Sequence, residues 1–186
     1  IINNIMDCLS FDVGGSTIKY GVINNSYEVV HKGKIPTPKD EEKFLESLSE
    51  IIQKNINNIS KVSIGMPGYV NVASNKYLYG PHLPFEIDFS KLSNFSDYKF
   101  YLDNDGNVAA YCEYFLNYKN KYSNLIMLTF GTGVGGGIIS EGRLLRGSGN
   151  AGEVGHMLTS NDRDVEGDNG KKGSFETSVA ASVWTK

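Results

Sequence analysis

Five of the seven positions from residue 131 to residue 137 are glycine: Gly131-Thr132-Gly133-Val134-Gly135-Gly136-Gly137. Glycine gives up more backbone freedom on folding than any other residue, so a run this dense belongs where the backbone turns sharply or comes close to something. Leu125–Phe130 before it is apolar and strand-like, and Ile138-Ile139-Ser140 after it is a β-branched strand that closes at Glu141-Gly142. The run spells a GxGxxG dinucleotide fingerprint, but that fingerprint needs a helix directly after the turn. A strand follows here. The pattern predicts a hairpin whose turn wraps a polyphosphate, and the flanking apolar residues argue against a merely flexible loop.

A second glycine turn lies near the start. Residues 8–12 are a short apolar run ending in Asp12, Gly14-Gly15 turn the chain, and Thr17–Ile23 resumes as a strand. Without Cβ atoms at 14 and 15, backbone N–H groups can approach an anion, and Ser16 and Thr17 add hydroxyls. Strand alternation puts Lys19 on the face of Thr17. A carboxylate at Asp12 is repelled by a phosphate unless a divalent cation lies between them, which implies Mg²⁺. An ordinary Gly-Gly hairpin with polar neighbours explains the same residues equally well.

Two further constellations carry acid–base groups. Asn104-Asp105-Gly106-Asn107 follows a short strand over residues 100–102 and opens a helix predicted over residues 108–118. A carboxylate there can take a hydroxyl proton during phosphoryl transfer. It can also be a plain helix cap, and spacing alone favours the cap. In Gly149-Asn150-Ala151-Gly152-Glu153-Val154-Gly155-His156, small residues bring Glu153 and His156 onto a common backbone. A carboxylate and an imidazole three apart suit vicinal hydroxyls, and a tight turn with two solvated side chains fits as well.

The remaining chain reads as α/β. Residues 27–35 form a third strand after Asn24-Asn25, giving an antiparallel meander. Pro36 and Pro38 break it. Asp40 can cap a helix whose apolar stripe is Phe44, Leu45, Leu48, Ile51, Ile52 and Ile56. Residues 61–64 form a strand that ends in Gly65-Met66-Pro67-Gly68. Residues 69–87, with Gly80, Pro81 and Pro84, read as a long functional loop. Residues 160–173 read as a polar surface loop and residues 175–183 as helical.

Composition narrows the function classes. A length of 186 residues allows one domain or two small ones, at roughly 150 residues per domain. With 40% apolar and 21% charged residues the chain can build a core, which excludes a disordered polymer. Eighteen basic against 21 acidic residues give a net charge of -3, which argues against a nucleic-acid footprint over the whole chain. No apolar run approaches the roughly 20 residues of a membrane span. Residues 1–7 carry Asn3, Asn4 and Asp7 without a basic flank, so no signal peptide is expected. Cys8 and Cys112 form neither a disulfide framework nor a CxxC pair, and free thiols in a reducing cytoplasm are the expected state.

Taken in order, these motifs resemble those of the ROK sugar kinases (repressor, open reading frame, kinase), within the actin-like, hexokinase-like ATPase superfamily. Asp12 to Lys19 is similar to the family's first phosphate motif, and Gly65-Met66-Pro67-Gly68-Tyr69-Val70 to its Gly-x-Pro-Gly-x-Val segment. Asn104-Asp105-Gly106-Asn107 resembles the catalytic Asn-Asp motif, residues 131–137 the second phosphate motif, and residues 151–156 the family signature. Gly173-Ser174-Phe175-Glu176 resembles a Gly-Cys-Leu-Glu segment. The resemblance covers about residues 8–186. It implies an α/β fold of actin-like (ribonuclease-H-like) lobes with mixed β-sheets flanked by helices. The small lobe would span residues 1–102 and the start of the large lobe residues 103–186.

The implied activity is ATP-dependent phosphorylation of a hexose, most simply glucose, at its 6-hydroxyl. Asp105 resembles the general base. Asn104, Glu153, His156 and Glu176 resemble the groups that bind sugar hydroxyls, and Gly68 would meet the sugar through its backbone. Gly14, Gly15, Thr17, Lys19, Thr132 and Gly133 would face the donor phosphates, and Asp12 would hold Mg²⁺ through water. Polyphosphate as donor would leave the same motifs. A non-catalytic sugar-sensing module, which a retained Asp105 disfavours, and an inactive fragment are the other two classes. Repressors of the family carry an N-terminal DNA-binding domain, and the few residues before the first strand are too short for one. Neither nucleic acid nor membrane is an expected partner.

Three departures stand out. Many members hold a structural zinc with the counterpart of His156 and three cysteines, whose positions are Gly167, Asn169 and Ser174 here. One histidine does not make such a site, so no zinc is expected. The family's Asn-Leu-Pro segment, whose Asn contacts the sugar, reads His82-Leu83-Pro84, which opens the sugar identity to modified sugars and β-glucosides. Family members also continue for a further stretch that supplies the adenine pocket. The apolar surface left without it predicts a homodimer.

Overall fold

The structure, a computed structural model, describes residues 7–56, 59–80, 82–95, 97–131, 133–159 and 172–180. It divides into two units, Ile1–Asp105 and Gly106–Lys186.

In the first unit, three strands form the meander that the Asn-rich turns predict. They are β1 (Asp7–Val13), β2 (Thr17–Ile23) and β3 (Val29–Pro36), and Pro36 closes an edge strand where its missing N–H costs nothing. Leu9, Phe11 and Val13 of β1 are buried, so alternation turns Asp12 outward. Helix α1 (Glu41–Asn55) follows. The Asp40 carboxylate accepts the Lys43 N–H at 2.9 Å and caps its first turn. Phe44, Leu45, Leu48, Ile51 and Ile52 bury the predicted stripe against the sheet in one core.

After α1 the chain adds β4 (Ile59–Met66) parallel to β1, and later β8 (Lys99–Asn104) parallel to β4, in the order β3-β2-β1-β4-β8. The register sets Asp12 opposite Gly65, and Gly65 opposite Asp103. Parallel strands send their C-terminal ends to one edge of the sheet. The turns after β1, β4 and β8 therefore leave from the same edge, the place where open α/β sheets bind ligands.

The sequence predicts a long loop over residues 69–87, and the structure has a small sheet there instead. These residues hold β5 (Tyr69–Asn71), β6 (Lys76–Tyr79) and the start of β7 (Ile87–Asp88), joined as a small antiparallel sheet. The Asn71 side chain accepts the Ser74 N–H at 3.1 Å and Asn75 takes a positive φ of 53°, which closes the β5–β6 turn. Val70, Tyr77, Leu83 and Ile87 enter the core. The glycines and prolines at 80, 81 and 84 punctuate this sheet rather than abolish it. A 3₁₀ segment, Phe89–Phe95, leads towards β8.

The second unit contains all but the first residue of α2 (Asp105–Glu113), which starts earlier than predicted and ends in a π-helical turn at Tyr114–Tyr118. Strands β9 (Leu125–Phe130), β10 (Val134–Ser140) and β11 (Arg143–Leu144) are antiparallel. Strand β10 begins four residues before the expected Ile138, so Gly135, Gly136 and Gly137 lie in the ladder opposite Thr129, Leu128 and Met127. Gly137 is small because α2 packs on it: a Cβ there would meet the Ala110 methyl and, at 3.0 Å, the Gly106 carbonyl, whereas a Cβ on Gly136 would meet Val154 at 3.2 Å and the Gly152 carbonyl at 3.4 Å. The turn itself is only residues 131–133. A 3₁₀ turn (Val154–His156) and α3 (Phe175–Val179) complete this unit, and residues 181–183 of the predicted helix lie outside the described residues. Most of the loop predicted over 160–173 also lies outside them. Its two flanks meet where Phe175 N–H donates to Met157 O at 2.8 Å and Thr159 N–H to Gly173 O at 3.1 Å.

Candidate active site

The turn after β1 is held by its own carbonyls. Gly14 N–H donates to Thr17 O at 3.0 Å, which closes the reversal into β2. The Thr37 hydroxyl donates to Gly14 O at 2.7 Å, the Lys39 ammonium to Gly15 O at 2.6 Å, and Thr37 N–H to Ser16 O at 3.0 Å. Asp12 and Lys19 are cross-strand partners, with Nζ 3.5 Å from Oδ2, and both side chains are well exposed. Thr17 is half-buried at the start of β2.

The turn after β4 requires glycine. Gly68 has φ +93°, and a Cβ there would lie 2.5 Å from Tyr79 O and 2.9 Å from Gly80 Cα. Its carbonyl accepts the Asn104 side-chain amide at 3.1 Å, so the end of β8 is bonded to the Gly68 turn. Asn104 is buried, and Asp105, the next residue, is exposed as it opens α2. Beneath them lies the fully buried ring of Tyr77, whose hydroxyl donates to Leu83 O at 3.0 Å. Burial pushes the Tyr77 phenol up, and the charges of Tyr79 and Asp105 push it further the same way. Tyr77 thus stays a neutral donor and fixes the turn from Gly80 to Leu83, which Leu83 N–H closes onto Gly80 O at 3.2 Å. His82, on that turn, lies over Gly15: a Cβ on Gly15 would meet the His82 Cβ at 2.6 Å. One short turn therefore touches both the Gly68 backbone and the first glycine loop.

The second unit holds the other expected residues. The buried Glu176 carboxylate accepts Val134 N–H at 2.8 Å, which binds α3 to the glycine hairpin at the point where β10 begins. Gly133 lies against that same carboxylate. Thr132 lies outside the described residues. His156 Nε2 is 3.6 Å from Glu153 Oε2, with both side chains partly exposed across the 3₁₀ turn. Within the first unit Gly14 thus bonds Thr17, Asp12 pairs with Lys19 and Gly68 bonds Asn104, and within the second Glu153 pairs with His156 and Glu176 lies against Gly133.

Residues 8–183 match the sequence profile described as the ROK family. The chain belongs to the ROK family. It is 30% identical to a glucokinase of Halalkalibacterium halodurans over 184 residues, covering 92% of this chain and 56% of that protein. It is 29% identical to an N-acetylmannosamine kinase of Vibrio cholerae, covering 97% of this chain and 64% of that protein. A ROK family glucokinase from Streptomyces griseus, solved with glucose and AMPPNP, superposes with a TM-score of 0.81 at 27% identity, over 95% of this chain and 58% of that one. The chain thus spans little more than half the length of these relatives. Its α/β fold with a central mixed sheet is that of the ROK actin-like ATPase sugar kinases.

In this ROK chain Asp12 is the next-to-last residue of β1. Magnesium usually takes one or two carboxylates and shares the rest of its shell with water and phosphate. The exposed carboxylate of Asp12, two residues before the glycine loop, matches that demand. Among the described residues no group of three His, Cys, Asp or Glu could hold a metal ion, and no helix is long and apolar enough to cross a membrane. Of the expected zinc positions, Gly167 and Asn169 lie outside the described residues, and Ser174 is fully buried. Sequence reasoning passed over Thr37, Lys39 and Tyr77. Thr37 had a faint signal: a threonine between two prolines directly after a strand is a poor helix or strand residue and a good tether.

Proposed function

We propose that this chain carries the phosphoryl-transfer site of a sugar kinase that moves the terminal phosphate of ATP to the 6-hydroxyl of glucose or a related hexose. The observation that carries this reading is the sheet edge of the first unit. There, three parallel strands release the Asp12–glycine turn, the Gly68 turn and the Asn104-Asp105 pair side by side. The kinase relatives support the reaction class.

Asp105 acts as the general base. The sugar oxygen bonds to phosphorus as the bond to the leaving ADP oxygen breaks, and the hydroxyl proton passes to the Asp105 carboxylate. Gly68 and Asn104 shape the sugar side, because the Asn104–Gly68 bond fixes where the backbone meets the ligand. Glu153, His156 and Glu176 supply further hydroxyl contacts. Gly14, Gly15, Thr17 and Lys19 face the donor, with Thr132 and Gly133 of the second hairpin. Magnesium bound through water at Asp12 would neutralise charge on the donor phosphates. Most of the barrier is lowered by positioning and charge, not by covalent help.

The test is phosphorylation by the protein with Mg·ATP, read by mass over glucose, mannose, N-acetylmannosamine, fructose and a β-glucoside. Asp105→Asn runs alongside, together with calorimetric sugar binding. A phosphosugar is expected from the parent. Asp105→Asn is expected to lose about 10²–10⁴-fold in kcat while it keeps sugar affinity. Near-normal turnover by Asp105→Asn would remove the base assignment, and failure to bind any sugar on the panel would remove the substrate class.

A further inference from the structure

The carbonyls of residues 14–16 are all taken by one segment outside the glycine motif. The Thr37 hydroxyl donates to Gly14 O at 2.7 Å, Thr37 N–H to Ser16 O at 3.0 Å and the Lys39 ammonium to Gly15 O at 2.6 Å. In a trans peptide the C=O and the N–H of one amide plane point in opposite directions, and no peptide bond among the described residues is cis. The Gly15 and Thr17 N–H groups therefore point away from Thr37, and the Ser16 N–H points away from the Lys39 ammonium. Among the described residues the Gly15 and Ser16 N–H groups meet no acceptor. The loop's oxygens are thus held by residues 37–39 and its N–H groups turn from them, the arrangement of a backbone nest for an anion. Thr37 is buried and Lys39 exposed, so the fixed part of this support is the threonine. Pro36, the cross-strand partner of Thr17, carries no N–H, and the Thr37 N–H makes the bond that closes β3 onto the loop.

We propose that Thr37 is a positioning residue for the phosphoryl donor: bonded to the loop from behind, it aims the N–H groups of residues 15–17 at the donor's phosphate oxygens. This inference rests on the reading of residues 14–16 as the donor loop. Two effects come from the same hydroxyl. Holding Gly14 O fixes the plane of the amide that carries the Gly15 N–H. A carbonyl that accepts a bond also makes the N–H of its own amide a stronger donor, because linked hydrogen bonds polarise one another. Thr37 touches no phosphate in this arrangement and acts only through the loop.

The experiment titrates inorganic tripolyphosphate into the parent, Thr37→Val and Thr37→Ser by calorimetry. Glucose titrations serve as control, and amide spectra report Gly15, Ser16 and Thr17. Thr37→Val keeps the branched shape and the N–H bond to Ser16 O but removes the hydroxyl. It is expected to weaken tripolyphosphate binding about fivefold, as for one lost hydrogen bond, with glucose affinity unchanged. Thr37→Ser keeps the hydroxyl and should bind tripolyphosphate as the parent does. A merely structural threonine would lower the melting temperature of Thr37→Val and leave the tripolyphosphate affinity of the folded protein where it was. Thr37→Ala takes the place of Thr37→Val if the valine unfolds the protein, and unfolding of both would make Thr37 structural and overturn the assignment. Equal tripolyphosphate affinity without the hydroxyl, an equal loss in Thr37→Ser, or a matching loss of glucose affinity would also overturn it and leave the donor loop standing. No tripolyphosphate binding by the parent, or binding without a shift at Gly15 and Ser16, would overturn the donor loop and the Thr37 assignment together.

Discussion

The Glu176 carboxylate accepts the Val134 backbone N–H at 2.8 Å, although the two residues are 42 positions apart. Both are buried. The bond fixes where the glycine turn ends and β10 begins, and it uses one oxygen of a residue that the family resemblance assigns to the sugar. Under the proposed function the other oxygen would meet a sugar hydroxyl, so a substitution at 176 would act on binding as well as on the stability of the hairpin.

Glu176→Ala leaves the Val134 N–H buried without its acceptor. A donor orphaned in this way costs about 1–3 kcal/mol. Glu176→Gln keeps an oxygen of nearly the same shape. Urea unfolding should rank the proteins parent, Glu176→Gln, Glu176→Ala, with the larger gap before Ala. An alanine variant as stable as the parent would mean that the bond does not hold the hairpin.

The His82 side chain fills the space that a Cβ at position 15 would need, at 2.6 Å from His82 Cβ. Gly15→Ala should therefore overpack the turn at a cost of about 1–3 kcal/mol. His82→Ala opens that space. The double variant should recover much of the stability lost by Gly15→Ala, a coupling that residues in direct contact show and distant residues do not. Thermal unfolding of the four proteins decides it. Strict additivity would show that something other than His82 limits position 15.

Much of the first unit was legible because its signals are local. The Leu9, Phe11, Val13 alternation and the α1 stripe each declare a buried face within a few residues, and Asp40 caps the helix that its position announces. The strand ends at Asp12 and Asn104 were legible, since an apolar run that stops at polar residues marks where a buried strand leaves the sheet. The small sheet over residues 69–88 was not. Its strands are two to four residues long, too short for alternation to stand out against Gly80, Pro81 and Pro84, and what orders it is the burial of Tyr77 against residues far along the chain. The start of β10 was missed for a related reason. Glycine reads as turn when considered alone, whereas here Gly137 is selected by the close approach of α2 and Gly136 by that of Gly152 and Val154. The Thr37 and Lys39 bonds to the glycine loop join segments more than 20 residues apart, a spacing that no local pattern reports.

The last prediction concerns pH. The Ser90 hydroxyl donates to Asp88 Oδ1 at 2.6 Å, Lys76 Nζ lies 3.0 Å from Oδ2, and Ser90 N–H donates at 3.0 Å. Together they hold the Asp88 carboxyl at about 2, against about 3.9 in an unfolded chain. Glu41, in the first turn of α1, is lowered in the same sense by Lys91 and by the Asp88 N–H. These contacts pin α1 to β7 and the 3₁₀ segment after it. A folded-state value below the unfolded one gives stability that is complete above pH ~4 and is lost as pH falls towards about 2. Asp88→Asn removes the charge. The stability gap between parent and Asp88→Asn, from urea curves, should therefore be constant from about pH 7 down to about pH 5 and close progressively between about pH 4 and 2. A gap that stays constant through that acid range would mean that the ionised carboxylate contributes nothing beyond its shape.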